Sequence, residues 1–514
     1  MSDKEGKHRV WGYTYRKAGG RLSEDPAPEM TAMRDEFIPL KGIHLFDKAH
    51  AVMLTEQGII SKDDGAKILR ALLEMEKEGF EKVREESGGG GHSGEAFLTD
   101  KLGSEIGGRL HAGRSSADLI AVAIRIEERD HVLGILEGML ALERSLLSAS
   151  QRHLETVLPA YTHFQQAQPI TLAHYFVSWA YGLTRDFDRF LELFHRVNAS
   201  PAGSAIVSGS PFPINRERVA ELLGFDSVLV NTRDAICGYD HHLELFSKLS
   251  ILNSTLARFC SDLYIWSSAE FRMVELPDRL CGTSSINPNK KNPQALEQIF
   301  SLAASTNGAM NTAFAIDRMP SDAWEIQWRI WSQELWPLLR RTIQGLTLVN
   351  SVVTSLDIKA ERMAELARSG WICASDLAAL LVTAENIPWR VAHQIVGQLV
   401  RTCEEKGIGS RDVTTNALNE IAPAHIGRAL SLSQEMIDRA LDPLQCVKAR
   451  QLTGGPAPEQ VKKQIEECVS NSRGQEARIK EMRESLARAD RVLSDAVEAL
   501  LHRGPSQRGR TLTG

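Results

Sequence analysis

What this 514-residue sequence lacks narrows its function early. No apolar run approaches the roughly 20 residues a helix needs to cross a bilayer, and the polar, charged start carries no signal core. A soluble, cytoplasmic protein is expected. There is no basic excess: 60 Lys and Arg face 66 Asp and Glu, a net charge of −6, so the electrostatic footprint of a nucleic-acid binder is missing. Cysteine is sparse, with Cys237, Cys260, Cys281, Cys373, Cys403, Cys446 and Cys468 dispersed without paired spacing. That argues for reduced thiols rather than a disulfide framework. The glycine-rich stretch Ser87–Gly94 has no Gly-Lys-Ser/Thr ending and so is no phosphate loop; it reads equally as the edge of an active site or as a linker. Metal-ligand spacing is missing too. His241 and His242 are adjacent, and neighbours on a helix are expected to point apart. Neither metal nor cofactor is expected.

What is present is helical periodicity. Hydrophobic content of 43% and charged content of 25% are ordinary for a globular chain, and the length suits two or three domains. Apolar spacing from Leu40 to Gly79 fits helices, broken at Gln57-Gly58 and restarted by the capping sequence Ser61-Lys-Asp-Asp. Long helices are predicted over Leu119 to about His153, from Pro169 through Val197, over His242–Ser268, over Ala295 to about Ala315, and over Leu335–Leu356. Their length, the few strand-like alternations and the absence of repeats predict an all-α fold. It should be a long central helical bundle with smaller helical N- and C-terminal domains, divided at 1–118, 119–356 and 357–514. More than one apolar face per helix predicts association into a larger bundle. The first 35 residues are polar, with a possible ordered patch at Val10–Tyr15, and the tail from Arg503 reads as disordered.

Three polar loops interrupt the helices. Gly107–Asp118 reads Gly-Gly-Arg-Leu-His-Ala-Gly-Arg-Ser-Ser-Ala-Asp, and Pro159–Pro169 reads Pro-Ala-Tyr-Thr-His-Phe-Gln-Gln-Ala-Gln-Pro. Gly282–Pro293 reads Gly-Thr-Ser-Ser-Ile-Asn-Pro-Asn-Lys-Lys-Asn-Pro. Prolines and Gly282 forbid a continuous helix there, so an exposed, mobile loop is expected. A solvated surface loop is the ordinary reading of such a stretch. The alternative is a loop that closes over an anion, with a hydroxyl base and two cations near a carboxylate whose charge develops.

In this order the three loops resemble the three motifs of the fumarase/aspartase superfamily, and the Lys-Lys-Asn-Pro ending is most similar to the argininosuccinate lyase branch. The likeness continues through Pro211-Phe-Pro-Ile-Asn-Arg-Glu-Arg, Trp266-Ser-Ser-Ala-Glu-Phe and the Gly454 turn, covering nearly the whole chain. It implies elimination across a C–N or C–O bond beside a carboxylate, usually releasing fumarate. It also implies a homotetramer in which three subunits each supply one loop to every active site. By resemblance Ser284 is the base, with Lys290 supplying the positive charge its hydroxyl needs to ionise. Lys290 and Asn292 hold the substrate carboxylate, with Ser285 beside them. His163, preceded by Thr162, stands on the acid side, and Glu297 orients it and raises its pKa. A histidine alone is usually structural; its place in a matching motif reverses that. Arg114, Ser115 and Ser116 are expected to touch substrate, while Gln166 and Gln168 bind it or cap the following helix.

The sequence also departs from the family. Thr283 stands where Gly is usual and Asn287 where Met is usual. Ser116-Ala117 replaces an Arg-Asn pair, which removes a bidentate carboxylate partner and makes room. Asp47, in Phe46-Asp47-Lys48-Ala49-His50, replaces a substrate-facing serine and could pair with a cationic amine. Cys237 and Tyr239 sit where Ser and Arg are common. Met319–Trp331 lacks the family's Tyr and Lys but carries Trp324, Trp328 and Trp331, which suit either a bulkier amine or plain packing. The elimination residues are kept and the gripping residues changed. The expectation is a carbon–nitrogen lyase acting on a small carboxylate of the N-substituted aspartate type. The alternatives are argininosuccinate lyase itself and a non-catalytic, crystallin-like descendant, against which the retained Ser284, Lys290 and His163 weigh.

Overall fold

The computed structural model describes residues 38–321 and 324–502, without the side chains of 324–330. Expectations for Val10–Tyr15, for the tail from Arg503 and for the Trp324 and Trp328 side chains lie outside the described residues. The all-α expectation holds: helices dominate, with a few two-stranded ladders.

Two helices, α1 (Leu40–Glu56) and α2 (Lys62–Glu78), open the fold; Ser61 caps α2 by accepting the Asp64 N–H at 3.1 Å. Two short helices follow, α3 (Phe80–Glu86) and α4 (Ser93–Leu102). The bundle is built from α5 (Ser116–Arg152), α6 (Leu172–Val197), α7 (Asp240–Trp266), α8 (Gln294–Ile316) and α9 (Trp324–Ser355). Their apolar stripes meet in one continuous core that includes Leu133, Leu136, Phe187, Phe190, Leu249, Leu252, Leu296 and Leu339. Each such side chain stabilises by about 1.5–3 kcal/mol on burial. A polar tie crosses this core: the Asn253 amide donates to the hydroxyls of Thr306 and Thr342, both at 3.0 Å, linking α7, α8 and α9.

Six short helices between Ala360 and Ala449 have a core of their own, with Leu377, Leu381, Ile395, Leu399 and Ile437. The last helix, α10 (Pro458–His502), leaves that unit and lies along the bundle, where Ile479, Leu493 and Val497 join the main core. Residues 360–449 and the distal half of α10 thus pack into different cores.

This layout sets where the motifs fall. At 1.5 Å per residue, the 37 residues of α5 span about 55 Å. The first motif precedes α5 and the second follows it, so they sit at opposite ends of the bundle. α7 runs back to the far end, where the third motif lies. In one chain the motifs cannot form one pocket.

Candidate active site

At the far end, β1 (Val157–Thr162) and β2 (Gln165–Thr171) form an antiparallel hairpin closed by His163-Phe164. A two-residue turn of this kind wants positive φ at both positions, which Asn-Gly supplies cheaply. His163 and Phe164 adopt φ of 53° and 57° instead. Strain of this kind costs on the order of 1–3 kcal/mol per residue and marks sites held for function. The turn thrusts the exposed His163 and Phe164 outward. Gln166 donates to the Leu366 carbonyl at 3.1 Å and Gln168 to the Ser375 hydroxyl at 3.2 Å. Both amides therefore anchor the hairpin to the C-terminal unit, a use the sequence did not suggest. Thr171, not either glutamine, caps α6 by accepting the His174 N–H.

The third motif is pinned at its base by a short antiparallel ladder, β3 (Gly282–Thr283) with β4 (Lys291–Asn292). Ser284 Oγ accepts the backbone N–H of Asn287 at 3.1 Å and of Ile286 at 3.4 Å. Two donors on a hydroxyl oxygen favour its ionised form. The two lysines divide labour. Lys291 is bound to Glu275 and Asp278 at 3.0 and 2.8 Å, with its pKa pushed up to about 12, first by Asp278. Lys290 is exposed and makes no ion pair among the described residues. Ser285 is exposed, and Asn292 donates to the Thr283 carbonyl at 3.4 Å. Glu297 accepts the Tyr264 hydroxyl at 3.1 Å, so within one chain it orients Tyr264 and not His163.

At the other end, the first motif is spent on folding to a degree the sequence did not show. Ser115 caps α5: its hydroxyl accepts the Ala117 N–H, and its own N–H donates to Asp118 at 2.8 Å. Ser116 is the first residue of the helix and half-buried. The second Asp118 oxygen accepts the N–H groups of Gly203 and Ala205 at 3.0 and 3.3 Å, tying the motif to the Ser200–Pro213 loop. Burial raises the Asp118 pKa to about 6 against those bonds.

Asp47 requires a correction. Its side chain is 1% exposed, with Arg84 at 2.5 Å on one oxygen and Arg114 at 2.7 Å on the other. Burial pushes this carboxyl up, but Arg114 and Arg84 together outweigh it and hold it below the usual carboxylate range. A carboxylate shared by two buried guanidiniums is already compensated in charge, so Asp47 reads as the anchor of Arg114. Arg114 itself is buried and stacks over the Phe46 ring at 5.6 Å. Trp331 is buried too, its ring tilted against that of His242 with centroids 3.9 Å apart.

A second correction concerns His241 and His242. Adjacent positions on α7 do diverge, but both imidazoles tilt toward one acceptor across the helix pair, Glu128 of α5. His242 Nδ1 lies 2.5 Å and His241 Nε2 3.5 Å from its two oxygens, and the rings are 3.8 Å apart. A second cluster joins His92, Glu95 and His111 beside the first motif. These two groups are the places where the described side chains could hold a metal ion.

Residues 29–308 match the family model described as lyase, and residues 371–448 match that of the argininosuccinate lyase C-terminal region. The argininosuccinate lyase of Methanocaldococcus jannaschii is 36% identical over 451 residues, 87% of this chain and 92% of that one. The chain belongs to the fumarase/aspartase superfamily, in its argininosuccinate lyase-like branch. The argininosuccinate lyase of Methanosarcina acetivorans is likewise 36% identical, over 88% of this chain and 91% of its own. Among solved structures, EDDS lyase in complex with formate superposes with a TM-score of 0.84 at 30% identity, covering 93% of this chain and 96% of that one. This member of the branch is a carbon–nitrogen lyase.

Arg84 and Glu128 were missed from sequence. Glu128 had a signal, an acid four positions after Ile124 and so on the same apolar face of α5. Arg84, among Glu81, Glu85 and Glu86, had none.

Proposed function

We propose that the protein eliminates an amine from an N-substituted aspartate-like amino-polycarboxylate, releasing fumarate or a related unsaturated acid. The observation that carries this is Ser284 Oγ, held by two backbone N–H donors on a loop whose second lysine is engaged and whose first is not. Ser284, ionised beside Lys290, takes the proton from the carbon next to the substrate carboxylate. Lys290 and Asn292 hold the charge that builds on that carboxylate. The C–N bond then breaks, and the amine leaves with a proton from His163. Thr162 and Ser285 line this centre. Arg114 and Ser116 flank the substrate's other end, where the loss of the Arg-Asn pair accommodates a different amine. Ser115 sets the helix that presents them.

The active site is assembled between subunits of a homotetramer. The 55 Å estimated for α5 separates the first two motifs within a chain, and apolar side chains crown two of the loops: Phe164 is 69% and Ile286 90% exposed. Such residues want a partner's surface.

A second reading is argininosuccinate cleavage, favoured by the relatives at 36% identity that carry that activity's name. One experiment separates the two. The purified protein is incubated with argininosuccinate, and separately with fumarate and a panel of amines, following fumarate absorbance with Ser284→Ala as control. Amine-dependent fumarate loss without argininosuccinate turnover supports the proposal. Argininosuccinate turnover abolished by Ser284→Ala supports the second reading. Silence in both arms leaves a lyase that makes a different acid, or no enzyme.

A further inference from the structure

Two clusters bring together the donor atoms of two histidines and a glutamate within 4.8 Å, and they differ in chemistry. In Glu128–His241–His242, Arg125 donates to His241 Nδ1 at 3.2 Å. That bond places the ring proton on Nε2, the atom facing Glu128, and sets a guanidinium where an ion's outer shell would lie. This cluster is fully buried and already neighboured by a cation.

His92–Glu95–His111 is different. Its two Nδ1 atoms both face one oxygen, Glu95 Oε2, at 3.4 and 3.2 Å. A charge-assisted hydrogen bond closes to about 2.7–2.9 Å. Ligands around a tetrahedral zinc, with bonds near 2.0–2.1 Å, stand about 3.3 Å apart. The observed separations match ligand spacing better than hydrogen bonding. His111 Nδ1 is shut off from solvent and no hydrogen bond reaches it. The ligand side chains also leave a way in: Glu95 is 29% and His111 27% exposed, while His92 is buried. Two imidazoles and one carboxylate form a borderline donor set suited to zinc or cobalt, with the fourth position left to water.

We propose that His92, Glu95 and His111 bind one divalent transition-metal ion per chain. The ion would clamp the glycine-rich Ser87–Gly94 stretch to the first motif, three residues before Arg114. Its role is to order that loop; the elimination does not pass through it. The glycines now have a reason. Gly88 and Gly89 hold φ of 106° and 71°, a left-handed path that brings His92 back over His111 and that other residues rarely follow.

The test uses untagged full-length protein, stripped with chelator and titrated calorimetrically with zinc, then with cobalt for its visible spectrum. One ion per chain is expected, with the intense absorption of four-coordinate cobalt. Glu95→Gln and His111→Ala should each weaken binding at least tenfold while melting like the parent. Glu128→Gln should bind as the parent does. No stoichiometric binding overturns the proposal. So does binding that survives both Glu95→Gln and His111→Ala, or binding lost in Glu128→Gln alone.

Discussion

Replacing Asp47 by Asn keeps the shape of the side chain and removes its charge, leaving Arg84 and Arg114 buried against each other. Arg84 has no exposed side-chain area, and that of Arg114 is 2% exposed. Removing one partner of a buried pair costs about 3–5 kcal/mol, because the charge left behind is uncompensated. Here two charges are left, so Asp47→Asn should fall at the upper end of that range. Urea unfolding at fixed protomer concentration reads this directly. The pH dependence is a second check. A carboxyl held below its usual range contributes stability above the unfolded value of 3.8 and loses it only as pH falls through the lower folded value. The gap between parent and variant should therefore stay flat from about pH 5 to 8. Adding Arg84→Met to Asp47→Asn should recover part of the loss, a coupling of about 0.5–3 kcal/mol. Were Asp47→Asn to unfold within about 0.5 kcal/mol of the parent yet raise KM for a cationic amine, the anchor reading would fall. Asp47 would then be a substrate partner.

Glu143, buried where α10 crosses α5, accepts the hydroxyls of Ser472 and Thr184 at 3.1 and 3.4 Å, and burial raises its pKa to about 7. Its folded form holds the proton more tightly, so stability is full below 4.5 and is lost as pH rises through 7. Glu143→Gln should be more stable by about 3 kcal/mol at pH 8–9 and no different at pH 4, by denaturant titration. Ser284→Ala should abolish turnover with an unchanged melting temperature, since Ser284 bonds only within its own loop. Inactive Ser284→Ala and His163→Ala chains, unfolded together and reassembled, should regain activity up to about a quarter of the parent, because random mixing gives some sites both intact groups. No recovery in correctly assembled tetramers would place both groups on one chain. Restoring the family pair with Ser116→Arg and Ala117→Asn should raise kcat/KM for argininosuccinate at least tenfold, as a regained bidentate partner would; an unchanged value would locate specificity elsewhere.

The bundle was legible because it rests on local rules. Period-3.6 apolar stripes over runs longer than 25 residues admit few folds, and the cap at Ser61 follows from a residue and its neighbours three positions on. The core that α10 joins was hidden, because its stripe does not say which partner it faces. The residues proposed for the elimination could be named for a related reason: Ser284, Lys290 and Asn292 lie within one loop, and Thr162 and His163 are neighbours. Their chemistry is written in adjacent letters.

The supporting ionic networks are written otherwise. Asp47 meets Arg84 and Arg114 from 37 and 67 positions away, and Glu128 meets His242 across 114. No local pattern encodes such pairs, and a carboxylate read alone looks free. The error at Asp47 was of this kind: its type was read correctly and its partners were not. The same blindness hid the tilt of His241 and His242 toward Glu128, since 100° of divergence between neighbours leaves two long rings able to converge on a distant acceptor. A polar residue on an apolar helix face is therefore better taken as half of a pair, and its partner sought before a substrate is assigned to it.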